Sequence, residues 1–180
     1  MDLNAVYSLH EFILRKQRGA FVTYPELDEI YNLGQLDLIN EYMDEYALTG
    51  KIHNALQPFK KNYIFTNTTS VNGFVDLPSD YLMALLSYTQ TYNNNTQKIE
   101  YGEIRFQNED SWVNAINSQL RPATKKRPAA KIIGGEIELF PKEANAGILN
   151  YIRKPNAPVY AYSQVGRTIT YDANTSTQLE

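Results

Sequence analysis

Few residues in this chain combine the type and the spacing that chemistry requires. The two histidines, His10 and His53, lie far apart, and neither stands near a cysteine, a second histidine or an HxxE pattern. Zinc and most transition metals are held by clusters of such donors, so no metal site is predicted. The chain has no cysteine, which removes disulfides, thiolate nucleophiles and thiolate ligands together. GxSxG, P-loop and GxGxxG signatures are absent, and Gly134-Gly135 reads as a turn between apolar runs, not as a phosphate cradle. The acid pairs Asp28/Glu29, Asp44/Glu45 and Glu109/Asp110 fall at helix-surface positions. A glycosidase pair would need carboxylates converging in a cleft. His10 sits beside the apolar stripe of a first helix and reads as a core or interface imidazole, while His53, just past a helix end, reads as a surface residue. The expectation is a protein that is not an enzyme, with no catalytic residue, no metal and no cofactor.

One stretch does carry a chemical signal. Arg121, Lys125, Lys126, Arg127 and Lys131 supply five bases and no acid between positions 121 and 131, with Arg153 and Lys154 as candidate extensions. Bases so spaced can neutralise phosphates without reading sequence, or dock on an acidic protein surface. No aromatic residue lies among them to stack on a base, and the whole chain carries −3, so free-standing nucleic-acid binding is the weaker of the two. The five are candidate DNA or acidic-partner contacts.

Charge is unevenly spread. Residues 1–50 hold nine acids and three bases, and residues 51–180 hold eleven acids and fourteen bases, which predicts two surfaces meeting different neighbours. Tyrosine is abundant, 14 against 7 Phe and 1 Trp. Tyrosine serves both interfaces and strands, so the excess points toward contact surfaces and sheet alike. No basic-then-apolar leader opens the chain and no run approaches about 18 apolar residues, so neither a secretory signal nor a membrane span is predicted.

The elements that must position these residues follow from periodicity. Leu3, Val6, Tyr7, Ile13 and Leu14 recur at helical spacing, and Gly19 ends that segment. Thr23-Tyr24-Pro25 with Glu26, Asp28 and Glu29 behind it starts a second helix; Gly34 is expected to break or bend it, and a longer helix then buries Leu36, Ile39, Met43 and Tyr46. Residues 1–50 are therefore predicted as a helical unit and 51–180 as an α+β region. Gly73 to Leu77 reads as a short strand, and Pro78 as the first residue of a short helix that turns Tyr81, Leu82, Leu85 and Leu86 inward, with Asp80 serving its dipole. Lys98 to Arg105 alternates as a strand, and Asn108 caps a second short helix carrying Trp112, Val113, Ile116 and Leu120, with Pro122 just beyond its end. Around Gly134-Gly135 a two-residue hairpin turn sets Ile133 opposite Glu136, Ile132 opposite Ile137, Lys131 opposite Glu138 and Ala130 opposite Leu139. Asn145-Ala146-Gly147 then leads into Ile148 to Ile152 as the third strand of an antiparallel meander. Val159–Tyr162 and Thr168–Tyr171 are short strand candidates, and Asp172 to Glu180 is a polar tail with no structure assigned. The predicted class is α+β: an N-terminal helical unit, then a mixed region with an antiparallel meander and two short helices.

Several fragments in order resemble the head–tail connector (adaptor) and ring proteins of tailed bacteriophages, those of crAss-like phages in particular. They are Leu3 to Gly19 with Thr23-Tyr24-Pro25-Glu26, Gln35 to Asn40, Ala55 to Lys60, Val75-Asp76-Leu77-Pro78-Ser79-Asp80-Tyr81, Arg127 to Ala130 with the hairpin, and Ile148 to Pro155. Each is short, and their joint order over about residues 3–160 carries the resemblance. It implies a structural virion protein made in the bacterial cytoplasm, forming a dodecamer in the neck below the portal. Its implied partners are other copies of itself, the portal, adjacent ring or tail proteins, and genomic DNA passing through the channel without sequence specificity; no membrane is implied. In such a ring residues 1–50 would meet a neighbouring subunit or the portal, and Leu77 to Tyr81 would pack a helix–sheet junction. Many such proteins continue into a portal-docking arm beyond the point where this sequence stops. A tail-hub protein of the same virion, or a non-viral binding module, is the alternative reading.

Overall fold

The computed structural model describes residues 3–17, 22–49, 55–66, 70–93, 97–144, 146–165 and 168–178. They form two compact units: one from Met1–Pro58 and Lys154–Glu180, the other from Phe59–Arg153. The mixed α+β class holds. Among the described residues no helix is long and apolar enough to cross a membrane.

The first unit contains helix α1 (Leu3–Gln17) and helix α2 (Tyr24–Thr49). Glu26 accepts the Thr23 N–H at 2.7 Å and its hydroxyl at 2.8 Å, so its side chain reaches back to cap the start of α2, as the acid of a capping box does. Gly34 does not break α2, contrary to expectation. The helix runs through it, bearing the roughly 0.5–1 kcal/mol that a mid-helix glycine costs relative to alanine. Leu3, Tyr7 and Leu27 are buried together with Tyr160 from the C-terminal segment. Of the two strands expected there, the second is β11 (Thr168–Tyr171), while the first falls later than expected, as β10 (Tyr162–Val165), and pairs with it. The polar stretch after Asp172, to which no structure was assigned, turns back so that Thr177 bridges Val159. Ile13, expected on the apolar stripe of the first helix, is instead exposed.

The second unit is built on nine strands: β1 (Lys60–Phe65), β2 (Ser70–Val71), β3 (Phe74–Asp76), β4 (Tyr81–Ala84), β5 (Ser87–Asn93), β6 (Lys98–Phe106), β7 (Ala129–Ile133), β8 (Glu136–Phe140) and β9 (Gly147–Arg153). Their order is β1-β9-β5-β6-β7-β8-β3-β2, with β4 also paired to β9. All pairs are antiparallel except β6 with β7, where Arg105 and Phe106 run parallel to Ala129 and Ala130. Phe65, Leu149 and Tyr151 from one end of this order share a single core with Val75, Ala130, Ile137 and Leu139 from the other, and Ile104 of β6 lies in the same core. The sheet therefore curls around one apolar interior. Helix α3 (Glu109–Asn117) connects β6 toward β7; Asn108 caps it by accepting the Ser111 N–H at 3.0 Å.

The β7–β8 register is the predicted one, pair for pair, with Gly134 and Gly135 at φ of 60° and 90°. Lys131 reaches Glu138 at 3.3 Å. The third strand of the expected meander is a correction: β9 pairs with β1, β4 and β5, and β8 pairs with β3. Its burial agrees with that place. Leu149 and Tyr151 turn into the core while Ile152 is buried on the opposite face, as befits a strand inside the sheet, with β1 along one edge and β4 and β5 along the other.

The short helix expected after Pro78 is a second correction, leaving α3 as the short α-helix among the described residues. Pro78 closes a turn by accepting the Tyr81 N–H at 2.9 Å, and Tyr81–Ala84 then extends along β9 as β4. Asp80 accordingly serves no helix dipole. It accepts from Lys61 Nζ at 2.6 Å and from the Tyr151 hydroxyl at 2.8 Å, tying that turn to β1 and β9. The Lys61 bond holds the Asp80 carboxyl below the usual carboxylate range, with burial opposing it and Tyr151 assisting. Burial first, and then the bond to Asp80, pushes the Tyr151 phenol up to about 12. The folded state thus favours charged Asp80 and neutral Tyr151. Asp80 contributes stability that is complete above its unfolded pKa of about 4 and lost as pH falls through the folded value; Tyr151 contributes stability present below pH 10 and lost as pH rises toward 12. Asp80→Asn should flatten the acid limb of a melting-temperature–pH profile. An unchanged acid limb would show that the turn is not held this way.

Candidate functional site

The structure brings the predicted basic residues into the connection between α3 and β7 and then divides them. Thr124 and Arg127 exchange backbone hydrogen bonds at 3.2 and 2.9 Å, closing a tight turn. That turn lies across β6 at Gly102, where a Cβ would fall 1.7 Å from the Lys126 carbonyl oxygen. The buried Thr89 hydroxyl sits 3.1 Å from the Gly102 carbonyl and 3.2 Å from that of Lys125, sharing its one proton between strand and turn. Lys126 forms an ion pair with Glu100. Lys131 is mostly covered, paired with Glu138 and lying 5.3 Å over the Trp112 ring. Those two bases hold structure in place. Arg121, Lys125 and Arg127 remain exposed, with no carboxylate in ion-pair reach among the described residues. Beside them lies Leu120, which is a correction: expected on the second short helix, it falls beyond the end of α3 at Asn117 and is 96% exposed, and Val113 on α3 is exposed as well.

A second surface is one face of α2. Ile30, Leu33 and Leu38 are exposed by 53%, 54% and 48%. At 3.6 residues per turn they share a stripe with Gly34, Asp37, Glu41 and Asp44, all exposed. Its own helix backbone aside, no atom of the described residues lies within 4 Å of a Cβ built on Gly34, so none of them calls for a glycine there. A third surface is the outer face of the β5–β6 hairpin, where Tyr92 pairs with Ile99, and Tyr101 follows two residues on; all three are more than half exposed.

The tyrosine excess has a partly internal explanation. In the first unit Tyr7 stacks on Tyr160 at 4.4 Å and Tyr24 on Tyr160 at 4.7 Å, with Tyr31, Tyr162 and Tyr171 around them. Tyr7 donates to Asp28 and Tyr24 to Glu11. Burial, then these carboxylate partners, push both phenols upward, so neither is an activated base or nucleophile. An open cleft of about 650 Å³ borders the cluster, lined by Asn4, Ser8, Glu11, Thr168 and Thr170 among others. His10 Nδ1 lies 3.1 Å from the Tyr31 hydroxyl, between α1 and α2, as an interface imidazole should; His53 lies outside the described residues. Among the described residues no group of three or more His, Cys, Asp or Glu could hold a metal.

Sequence reasoning placed the basic run but missed the α2 stripe. Its signal was there: Ile30, Leu33 and Leu38 share a face with three carboxylates, on a helix whose apolar residues go all the way round. No protein-family model matches this chain and no curated protein matches it, so its function is argued from its own residues.

Proposed function

We propose that this chain is a structural subunit of the neck of a tailed phage, closing into a ring of twelve copies that joins portal to tail and continues the DNA channel. The observation that carries it is uncovered apolar surface on each unit: Leu9, Phe12, Ile13, Ile30, Leu33 and Leu38 on the helices, and Tyr92, Ile99 and Tyr101 on the sheet hairpin. Water penalises such faces, and a subunit with neighbours on two sides covers them. A ring requires two different, complementary surfaces related by a rotation that closes. The acidic N-terminal region and the exposed bases of the α3–β7 connection supply that difference. The virion setting rests on the ordered fragments that resemble connector proteins.

The test is the particle mass of the purified protein, alone and mixed with the portal encoded in its own genome, by light scattering and electron microscopy. A ring seated on the portal with twelve-fold views is the expected result. A monomer indifferent to the portal, or a six-fold ring that ignores it, would overturn the connector reading in favour of a binding module or a tail-hub protein.

A further inference from the structure

We infer that the acidic α2 face of one copy docks on the α3–β7 connection of the next, with Leu120 entering the notch at Gly34. This rests on the ring reading and names the contact that would build it. The two surfaces match in chemistry. One offers aliphatic side chains, Ile30, Leu33 and Leu38, around a glycine with open space above it, flanked by Asp37, Glu41 and Asp44. The other offers one fully exposed aliphatic side chain, Leu120, flanked by Arg121, Lys125 and Arg127.

The occupant follows from charge. Two α2 faces meeting across a two-fold axis would set Asp37, Glu41 and Asp44 against the same acids, so the contact joins different surfaces of successive copies. DNA is the poorer occupant of the basic connection. A bare leucine adds nothing to phosphate recognition, and no aromatic residue lies among the bases to stack on a nucleotide. Gly34 fits the same account. A missing side chain lets another chain approach α2 closely, and no neighbour among the described residues uses that space.

The experiment measures self-association of the full chain by sedimentation velocity over a range of protein and salt concentrations. Wild-type association should weaken as salt rises. The pairs Asp37→Lys with Glu41→Lys, and Arg121→Glu with Arg127→Glu, should each weaken it about 10-fold or more, and mixing the two variants should restore it. Gly34→Ala should raise the subunit melting temperature by about 2 °C, because alanine favours the helix, and yet weaken association. Leu120→Ser should weaken association without changing the melting temperature. If rings still form on the portal and all of these variants associate as wild type does, this contact is wrong and the ring reading stands. If the wild type is monomeric at every concentration, with and without portal, both fail. If the arginine variants lose retention on DNA while self-association is untouched, the connection faces nucleic acid and the inference is overturned.

Discussion

Gly102→Ala is expected to lower the midpoint of urea unfolding by about 1 M or more, the largest effect of any methyl-sized change considered for this chain. Its Cβ would lie 1.7 Å from the Lys126 carbonyl oxygen, 2.4 Å from the carbonyl carbon and 2.9 Å from Lys126 Cα. These are backbone atoms, so no rotamer change relieves the overlap; the turn closed by Thr124 and Arg127 must lift off β6. Overpacking costs about 1–3 kcal/mol and sometimes more. Lifting the turn also parts the Thr89 hydroxyl from the Lys125 carbonyl, at the edge of the core. Gly134→Ala is the control. Nothing lies within 4 Å of its Cβ, so it bears only the left-handed backbone penalty of about 1–2 kcal/mol that goes with its φ of 60°. Equal midpoints for Gly102→Ala and wild type would show that the connection does not cross β6 as described, and would remove the support under the proposed docking surface.

Asp28→Ala is expected to detach the C-terminal segment from the helices. Asp28 accepts the Tyr160 N–H at 3.0 and 3.2 Å through its two oxygens and also takes the Tyr7 hydroxyl. Tyr7 is 1% exposed and Tyr160 9%, so both donors lose a buried acceptor when the carboxylate goes. An unsatisfied buried donor costs about 1–3 kcal/mol, and two are created. Asp28→Asn keeps an acceptor oxygen and should cost less. Thermal melting with limited proteolysis separates the outcomes: in Asp28→Ala, cleavage within 154–178 should accelerate well before global unfolding. In a spectroscopic titration the Tyr7 phenol should also move back toward its ordinary value, since Asp28 is, after burial, what holds it up. Protection of the segment unchanged from wild type would mean that the tyrosine stack alone retains it.

Local signals were legible residue by residue. The Gly134-Gly135 dipeptide and the alternation around it specified a register that holds at every pair, because a one-residue slip would put Ile137 and Leu139 outside. Asn108 caps α3 for the same local reason. Asn72-Gly73 carries an equally direct hairpin signal, with φ of 55° and 88°, and joins β2 to β3, so that the strand begins at Phe74 and not at Gly73. Pro78 misled. Proline followed by an acid and leucines is a sound helix start in isolation, and only the free edge of β9 draws Tyr81–Ala84 into a strand.

By itself the sequence determined the α+β class, the existence of α1 and α3, the hairpin register and the set of bases available, since each depends on backbone preferences and side chains only a few residues apart. Tertiary structure decided what depends on contacts distant along the chain. It placed β9 between β1 and β4–β5, clamped Tyr160 onto Asp28, and spent Lys126 and Lys131 on Glu100, Glu138 and Trp112 while leaving Arg121, Lys125 and Arg127 exposed. Such contacts form only where folding brings a partner close enough to offset the entropy of ordering the chain between them, and no local pattern records where that partner will be.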